Sequence, residues 1–151
     1  MGLEACGEAM DRRRNLNILD THVWLWLMEG DPRIGDHTVT ALEAAAASGA
    51  LYVATLSLWE IAMYEAAGRL RFSVPVDVWL AEAIATPGLS LLEIDVRIAA
   101  ESARLPGSFK GDLGDRLLVS AARTQGGTIY TADPVILEYG EAGFVETVAV
   151  V

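Results

Sequence analysis

Short apolar runs alternate with longer segments of helical periodicity along most of the chain. The apolar runs predict strands at residues 16–19, 51–53, 89–94, 128–130 and 145–150. The remaining segments predict helices at residues 23–28, 37–48, 57–67, 76–85, 95–104, 115–124 and 133–139. Strands that alternate with helices are joined by right-handed crossovers and form a parallel sheet with helices on both faces. The pattern therefore predicts an α/β fold with a mainly parallel sheet.

Composition supports one globular domain and changes the picture only at the N-terminus. Of the 151 residues, 52% are hydrophobic and 21% are charged, which is typical of a folded domain. Residues 1–15 are polar and lack the apolar core of a secretory signal, so we interpret them as an N-terminal extension to a single domain at residues 16–151. The one cysteine, Cys6, excludes an intrachain disulfide, and no apolar run reaches the ~18 residues of a membrane helix. We expect a cytoplasmic protein with no membrane partner.

Four acidic residues stand at the ends of predicted strands or at the starts of the helices that follow them. They are Asp20, Glu60, Asp115 and Asp133. The carboxyl ends of parallel strands meet at one edge of the sheet, where folds of this kind bind their ligands. Convergent carboxylates repel one another unless a cation lies between them, and such hard oxygen ligands select Mg²⁺ or Mn²⁺. The pattern therefore predicts a metal-dependent phosphodiesterase.

Each of these acids also has an ordinary explanation as part of a helix N-terminus. Asp20 is suited to cap the first helix. Asp133 is followed by proline and is suited to cap the last helix. Asp115 would stabilise its helix through the dipole. On this interpretation the acids only stabilise an inert scaffold. Asp112 favours a site instead, because a second acid three residues before Asp115 exceeds what a cap needs.

Polar neighbours of the acids are candidates for supporting roles. Ser57 and Thr131 are predicted to orient Glu60 and Asp133 through their hydroxyl groups. The spacing of Ser57 and Glu60 is also that of a capping box, so a purely structural role stays open for this pair. Arg116 is a candidate for a phosphate contact or for a salt bridge.

The charge balance bears on the partners of the protein. A formal net charge of −10 is unlike the basic face of a typical nucleic-acid-binding protein, and it counts against a protein that reads DNA sequence. It counts less against a metal nuclease, because bound divalent cations would supply positive charge where a phosphate must lie. The excess of acid also suits a basic protein partner.

Four segments around the acids form an ordered series. They are Leu-Asp-Thr-His-Val-Trp-Leu-Trp at residues 19–26, Ser-Leu-Trp-Glu-Ile-Ala at 57–62 with Gly-Arg-Leu at 68–70, Asp-Leu-Gly-Asp-Arg-Leu-Leu at 112–118, and Thr-Ala-Asp at 131–133. The series resembles the motifs of PIN-domain ribonucleases, and in particular those of the VapC toxins of bacterial toxin–antitoxin pairs. Members of this branch often have Asp-Pro-Phe-Asp-Arg at the third motif. We expect Leu113 and Gly114 to loosen the loop before that helix, while both acids are kept.

The resemblance implies a three-layer α/β/α sandwich that cleaves RNA, often tRNA or rRNA. It also implies neutralisation by a cognate antitoxin and assembly into a homodimer. The predicted ligands of the principal Mg²⁺ or Mn²⁺ ion are Asp20, Glu60 and Asp115, with Asp133 completing the site or holding a second ion and Asp112 as a further candidate. Hydrolysis by a metal-bound water would leave 5′-phosphate and 3′-hydroxyl ends.

Two other classes of function stay open. A PIN-like protein without catalytic activity would act only as a binding module, with a basic, partly disordered protein tail as its partner. A metal phosphatase of another α/β family is disfavoured, because Asp20-Thr21-His22 lacks the Asp-x-Asp pair of haloacid-dehalogenase-like phosphatases.

Overall fold

The computed structural model describes residues 16–151 and forms five strands and seven helices there. The predicted extension at residues 1–15, with Cys6, lies outside the described residues. The strands are β1 (Asn17–Leu19), β2 (Leu51–Ala54), β3 (Leu89–Leu92), β4 (Thr128–Thr131) and β5 (Glu146–Ala149). The helices are α1 (Thr21–Glu29), α2 (Asp36–Ala47), α3 (Thr55–Ala66), α4 (Val76–Ile84), α5 (Val96–Ser102), α6 (Leu113–Gln125) and α7 (Pro134–Glu141).

All five strands are parallel and lie in the order β3-β2-β1-β4-β5. Leu19, at the end of β1, pairs with Val53 of β2 on one side and with Tyr130 of β4 on the other. The chain therefore leaves β1 in one direction along the sheet and returns to its other side for β4. Such a reversal of strand order opens a crevice beyond the carboxyl ends of the two strands, where α/β folds bind their ligands.

Apolar residues cover both faces of the sheet. Leu19 and Tyr130 point to a cluster packed by α1 to α4, in which Trp24 is fully buried. Their neighbours Ile18 and Ile129 point to a second cluster, packed by α6 and α7. Successive strand residues face opposite sides of a sheet, so this division follows from the apolar runs themselves. The predicted α/β fold with a parallel sheet between two helical layers is confirmed.

Three helices begin earlier than the apolar periodicity predicted. The helices α1 and α3 begin two residues early, at Thr21 and Thr55, and α6 begins at Leu113. The predicted capping box of Ser57 and Glu60 is wrong, because Ala54 precedes the first turn of α3 and no side chain caps it. The sharp passage from β2 directly into α3 leaves no room for a capping loop. Glu60 consequently lies in the second turn, free of any capping role.

The helices in the described part of the chain are all too short or too polar to cross a membrane.

Candidate active site

Five carboxylates gather beyond the carboxyl ends of the central strands, and we call them the acidic rim. They are Asp20, Glu60, Asp112, Asp115 and Asp133. The charge of Asp20 acts on Glu60 and on Asp115, and Asp112 acts on the same two groups. Asp133 acts on Asp20 and on Asp115. The structure thus brings all the acids predicted for the site into one mutually repelling group.

Asp20 lies at the crevice between β1 and β4 and is only 9% exposed. One oxygen, Oδ1, accepts the Thr21 backbone N–H at 2.7 Å, which makes Asp20 the N-cap of α1. The other, Oδ2, accepts the hydroxyl of Thr131 at 2.7 Å. Burial raises the pKa of the Asp20 carboxyl, and these two hydrogen bonds oppose that shift. Asp20 is therefore both a cap and a buried carboxylate at the site.

Thr131 joins the two acids of the crevice. Its buried hydroxyl donates to Asp20 and accepts the backbone N–H of Asp133 at 2.9 Å. Asp133 caps α7 through the backbone N–H of Val135 at 2.8 Å, with Pro134 in the first turn. The predicted hydroxyl–acid pair of Thr131 and Asp133 is present, but the hydroxyl bonds the backbone of Asp133 and the carboxylate of Asp20. One side chain thus sets the positions of both acids.

Glu60 approaches the rim from helix α3 and is held by a chain of hydroxyls. Thr21 Oγ1 donates to Glu60 Oε1 at 3.3 Å and lies 2.7 Å from Ser57 Oγ. A threonine hydroxyl has a single proton, so Ser57 must donate to Thr21 when Thr21 donates to Glu60. The sequence predicted that Ser57 orients Glu60 directly. In the structure Ser57 acts on Glu60 through Thr21.

The pKa of the Glu60 carboxyl is raised, first by burial and then by the charge of Asp20. The hydroxyl of Tyr64 lies close enough to oppose this shift by hydrogen bonding. Neither Thr21 nor Tyr64 was assigned a role from the sequence. For Thr21 the signal in the sequence was its place directly after Asp20. For Tyr64 it was the four-residue spacing from Glu60, which puts Glu60 and Tyr64 on one face of a helix.

Asp112 and Asp115 form a capping box at the start of α6. Asp112 Oδ1 accepts the Asp115 N–H at 2.9 Å, and Asp115 Oδ2 accepts the Asp112 N–H at 3.3 Å. The pKa of the Asp115 carboxyl is raised to about 7, first by burial and next by the charges of Asp112 and Asp133. Asp115 is therefore close to half-protonated at neutral pH when no cation is present.

Gly114 has a packing role in the first turn of α6. A Cβ atom at this position would stand 3.2 Å from Glu60 Oε1 and 3.4 Å from Asp112 Oδ1, a tight fit. The expectation that Leu113 and Gly114 loosen a loop before the helix is wrong, because both belong to α6. The absence of a side chain at Gly114 lets Glu60 come close to the start of this helix.

Arg116 turns away from the rim. Its Nε donates to the carbonyl of Ser102 at 3.0 Å, and Nη1 donates to the carbonyl of Phe109 at 3.1 Å. Within residues 16–151, the ion pair that forms joins Arg33 to Asp31, and no Lys or Arg pairs with a rim carboxylate. The salt bridge considered for Arg116 is therefore wrong, and the charge that opposes the raised pKa of Asp20 is that of the neighbouring His22.

As the side chains stand, no three Asp, Glu, His or Cys residues in the described part of the chain form a group that could hold a metal ion. The carboxylates nevertheless lie close enough for the charges of some to raise the pKa of others. All of these groups offer hard oxygen atoms, the ligand type that Mg²⁺ and Mn²⁺ prefer.

Comparison with known proteins agrees with this geometry. The PIN domain family matches residues 18–142. Ribonuclease VapC22 of Mycobacterium tuberculosis (strain ATCC 25618 / H37Rv) is 33% identical over 119 residues, which cover 77% of this chain and 85% of that protein.

Two solved structures share the fold. One is the crystal structure of VapBC2 from Rickettsia felis bound to a DNA fragment from their promoter (TM-score 0.65, 14% identity, 89% of this chain and 98% of that chain). The other is that of DNA-bound VapBC from Salmonella typhimurium (TM-score 0.66, 15% identity, 90% and 98%). The family match, the relative and the shared fold confirm the resemblance seen in the motifs, and this chain belongs to the PIN-domain family.

Proposed function

We propose that this protein is a metal-dependent endoribonuclease toxin of the VapC type that a cognate antitoxin neutralises. The observation that carries the proposal is the acidic rim, which within residues 16–151 forms no salt bridge to Lys or Arg and lies over the crevice between β1 and β4 of a PIN fold. VapC22, to which this chain is similar, is named a ribonuclease. The two similar structures are VapBC complexes, which supports an antitoxin as the partner.

The rim fits a divalent cation by the chemistry of its donors. We propose that Asp20, Glu60 and Asp115 hold the principal Mg²⁺ or Mn²⁺ ion, and that Asp133 completes the site or holds a second ion. Asp112 is a further candidate, although its cap on α6 already explains its place. When bound, such an ion would lower the pKa of a coordinated water and stabilise negative charge on the phosphate.

The remaining residues of the site keep the carboxylates in position. Both oxygens of Asp20 are held, Oδ1 by the Thr21 N–H and Oδ2 by Thr131, and Oε1 of Glu60 is held by the Thr21 hydroxyl. Asp115, whose pKa is about 7, would lose its proton to solvent as a cation binds. In this scheme water attacks the phosphorus and the 3′-oxygen leaves, so the RNA products would carry 5′-phosphate and 3′-hydroxyl ends.

The test is cleavage of purified total tRNA and rRNA by the wild type and Asp20→Asn with Mg²⁺, Mn²⁺ or EDTA. Asp95→Asn is a matched control, because Asp95 caps α5 through the N–H of Ile98 at 2.8 Å but is not part of the rim. We expect metal-dependent cleavage by the wild type and the control and none by Asp20→Asn. Products with 2′,3′-cyclic phosphate ends would contradict the mechanism.

A binding module without catalysis is the second candidate. The absence, within residues 16–151, of three groups already arranged around a metal position favours it, and the net charge of −10 suits a basic partner. Expression of wild type and Asp20→Asn in cells separates the two functions. If the protein is a catalytic toxin, the wild type stops growth and Asp20→Asn does not. If it acts only by binding, the wild type and Asp20→Asn have the same effect on growth.

Two smaller predictions also stay open. The homodimer implied by the resemblance is tested by light scattering, which measures the molar mass of the purified protein.

A phosphate contact by Arg116 would require its guanidinium to leave the carbonyls of Ser102 and Phe109 or to use its remaining N–H groups. Arg116→Lys tests this contact, and a raised KM for RNA with an unchanged Tm would indicate that the guanidinium meets a phosphate.

A further inference from the structure

A pocket of about 310 Å³ opens beside the acidic rim, and we call it the flank pocket. It lies between α1 and the end of α3. Its lining includes Thr21, His22 and Leu25 of α1, Tyr64 of α3, and Arg69 and Leu70 of the segment after α3. This size is at the lower end of the range for small-molecule sites and is suited to one flat ring system with a polar group attached.

The flank pocket adjoins the acidic rim through two of its lining residues. Thr21 lines the pocket and donates a hydrogen bond to Glu60. The hydroxyl of Tyr64 interacts with Glu60, and the charges of Asp112 and Asp20 also reach it. The pocket is therefore next to the place where the proposed substrate would be cut.

Two aromatic rings give the pocket flat surfaces. The rings of His22 and Tyr64 lie 5.8 Å apart between centroids and are inclined by 34°. His22 is exposed and also contacts Trp26, with centroids 6.3 Å apart. Rings that are partly exposed at a polar site are stacking surfaces for nucleobases, since every base has a π face.

Arg69 gives the pocket a positive charge next to a strongly negative site. In the part of the chain that the structure describes, the ion pair that forms is that of Arg33 with Asp31, and Arg69 has no carboxylate within that distance. Its charge acts instead on the hydroxyl of Tyr64. An arginine without a carboxylate partner, in a pocket that adjoins the rim, is suited to meet a phosphate that the acids would otherwise repel.

We propose that the flank pocket binds the nucleotide next to the cut phosphodiester bond, with its base against the rings of His22 and Tyr64 and a backbone phosphate at Arg69. This inference rests on the proposed ribonuclease function and deepens it, because the pocket then decides which RNA position is cut. The contact with Glu60 favours RNA over a peptide, since a bound peptide needs no contact with the reacting group.

The first experiment measures binding by NMR. The four nucleoside 5′-monophosphates are titrated into isotope-labelled wild-type protein, and the signals of the His22 ring and the Arg69 guanidinium are followed. We expect both signals to shift, with one or two bases preferred. We expect Arg69→Gln to remove the shift of the His22 signal and His22→Ala to remove the shift of the Arg69 signal. Arg97→Gln, which neutralises an exposed arginine of α5, should retain both shifts. Circular dichroism and Tm establish that each variant is folded.

The second experiment maps cleavage sites on the RNA that the wild type cuts. We expect Arg69→Gln and His22→Ala to raise KM on the order of 10-fold and to redistribute the cut sites, with kcat changed less. Arg69→Lys keeps the charge, so its KM should lie between those of the wild type and Arg69→Gln. Arg97→Gln should behave as the wild type.

The outcomes separate this inference from the function on which it rests. If the wild type cuts RNA and the pocket variants keep its KM and its sites, the pocket proposal is wrong and the ribonuclease stands. If the variants keep cutting as before but lose affinity for the antitoxin, the pocket belongs to the protein partner. If folded wild type cuts no RNA in any metal, the function and the pocket proposal fall together.

Discussion

The two sides of the acidic rim hold their carboxylates by different means. At the crevice, Asp20 and Asp133 lie within two residues of strand ends and cap the helices that begin there, and Thr131 joins them. On the flank, Glu60 lies within α3 and caps nothing, and the hydroxyls of Thr21 and Ser57 support it. A substitution at the crevice is therefore expected to change both the stability of the fold and the cleavage activity. A substitution at Glu60 is expected to change the cleavage activity without loss of stability.

The largest effect is expected at Glu60. Glu60→Gln keeps the length of the side chain but removes its charge, so we expect a loss of RNA cleavage of at least ~100-fold. Without metal the variant should melt at the wild-type temperature or slightly above, because repulsion from Asp20 is relieved. Cleavage assays and thermal denaturation measure the two effects. The control is Glu65→Gln on the same helix, and a variant Glu60→Gln that melts well below the wild type would show that Glu60 is structural.

The crevice side of this comparison could be predicted from the sequence, and the flank side only in part. Asp20 ends an apolar run, and Asp133 stands before a proline, so strand ends and helix starts follow from local patterns that need no tertiary information. The parallel sheet then places both at one edge. The position of Glu60 at the rim was predicted, and so was a supporting role for Ser57, but the part of Thr21 between them was not.

The support of Glu60 depends on contacts between residues far apart in the chain. Thr21 meets Ser57 across 36 positions, and this pairing follows from the packing of α1 against α3. The early start of α3 has the same origin, because it is set by the passage from β2 and not by a capping residue. Gly114 was expected to loosen the loop before α6, whereas it lies within that helix and leaves space for Glu60.

The second prediction compares the hydroxyls of the two sides. Thr131→Val keeps the shape but leaves the Asp133 N–H and a buried oxygen of Asp20 without their partner, at a cost of about 1–3 kcal/mol. For a chain of this length the Tm should fall by roughly 3–10 °C. Ser57→Ala removes only a donor to Thr21, which keeps its bond to Glu60, so we expect a loss below about 1 kcal/mol. Equal losses in thermal denaturation would remove the distinction between the two sides.

The third prediction concerns pH in the absence of metal. The pKa of Asp115 is about 7 in the folded protein against an ordinary value of 3.8, so between these pH values the folded state binds the extra proton. Stability should therefore be higher at pH 5.5 than at pH 8 and should fall as pH rises through 7. Since Asp115 is partly exposed, we expect a contribution of at most about 1–2 kcal/mol after screening by solvent.

Thermal denaturation in EDTA at the two pH values measures this contribution. Asp115→Asn isolates it from the general repulsion of an acidic chain, because the variant lacks the proton but keeps most of the side chain. Added Mg²⁺ should raise the Tm more at pH 8 than at pH 5.5, as the cation competes with the proton. A wild type and Asp115→Asn with the same pH dependence would contradict the prediction.

The smallest effect is expected at Asp112, the acid that the capping box already explains. Asn caps a helix about as well as Asp, so Asp112→Asn should change stability by less than about 0.5 kcal/mol, whereas Asp112→Ala should cost about 1 kcal/mol. Cleavage should fall less than about 10-fold in both variants, because neither removes a principal ligand. After burial, the charge of Asp112 is the largest cause of the raised pKa of Asp115, so both variants should also show a weaker pH dependence of stability. A loss of cleavage as large as that of Glu60→Gln, in the Asn variant whose cap is intact, would instead make Asp112 a metal ligand.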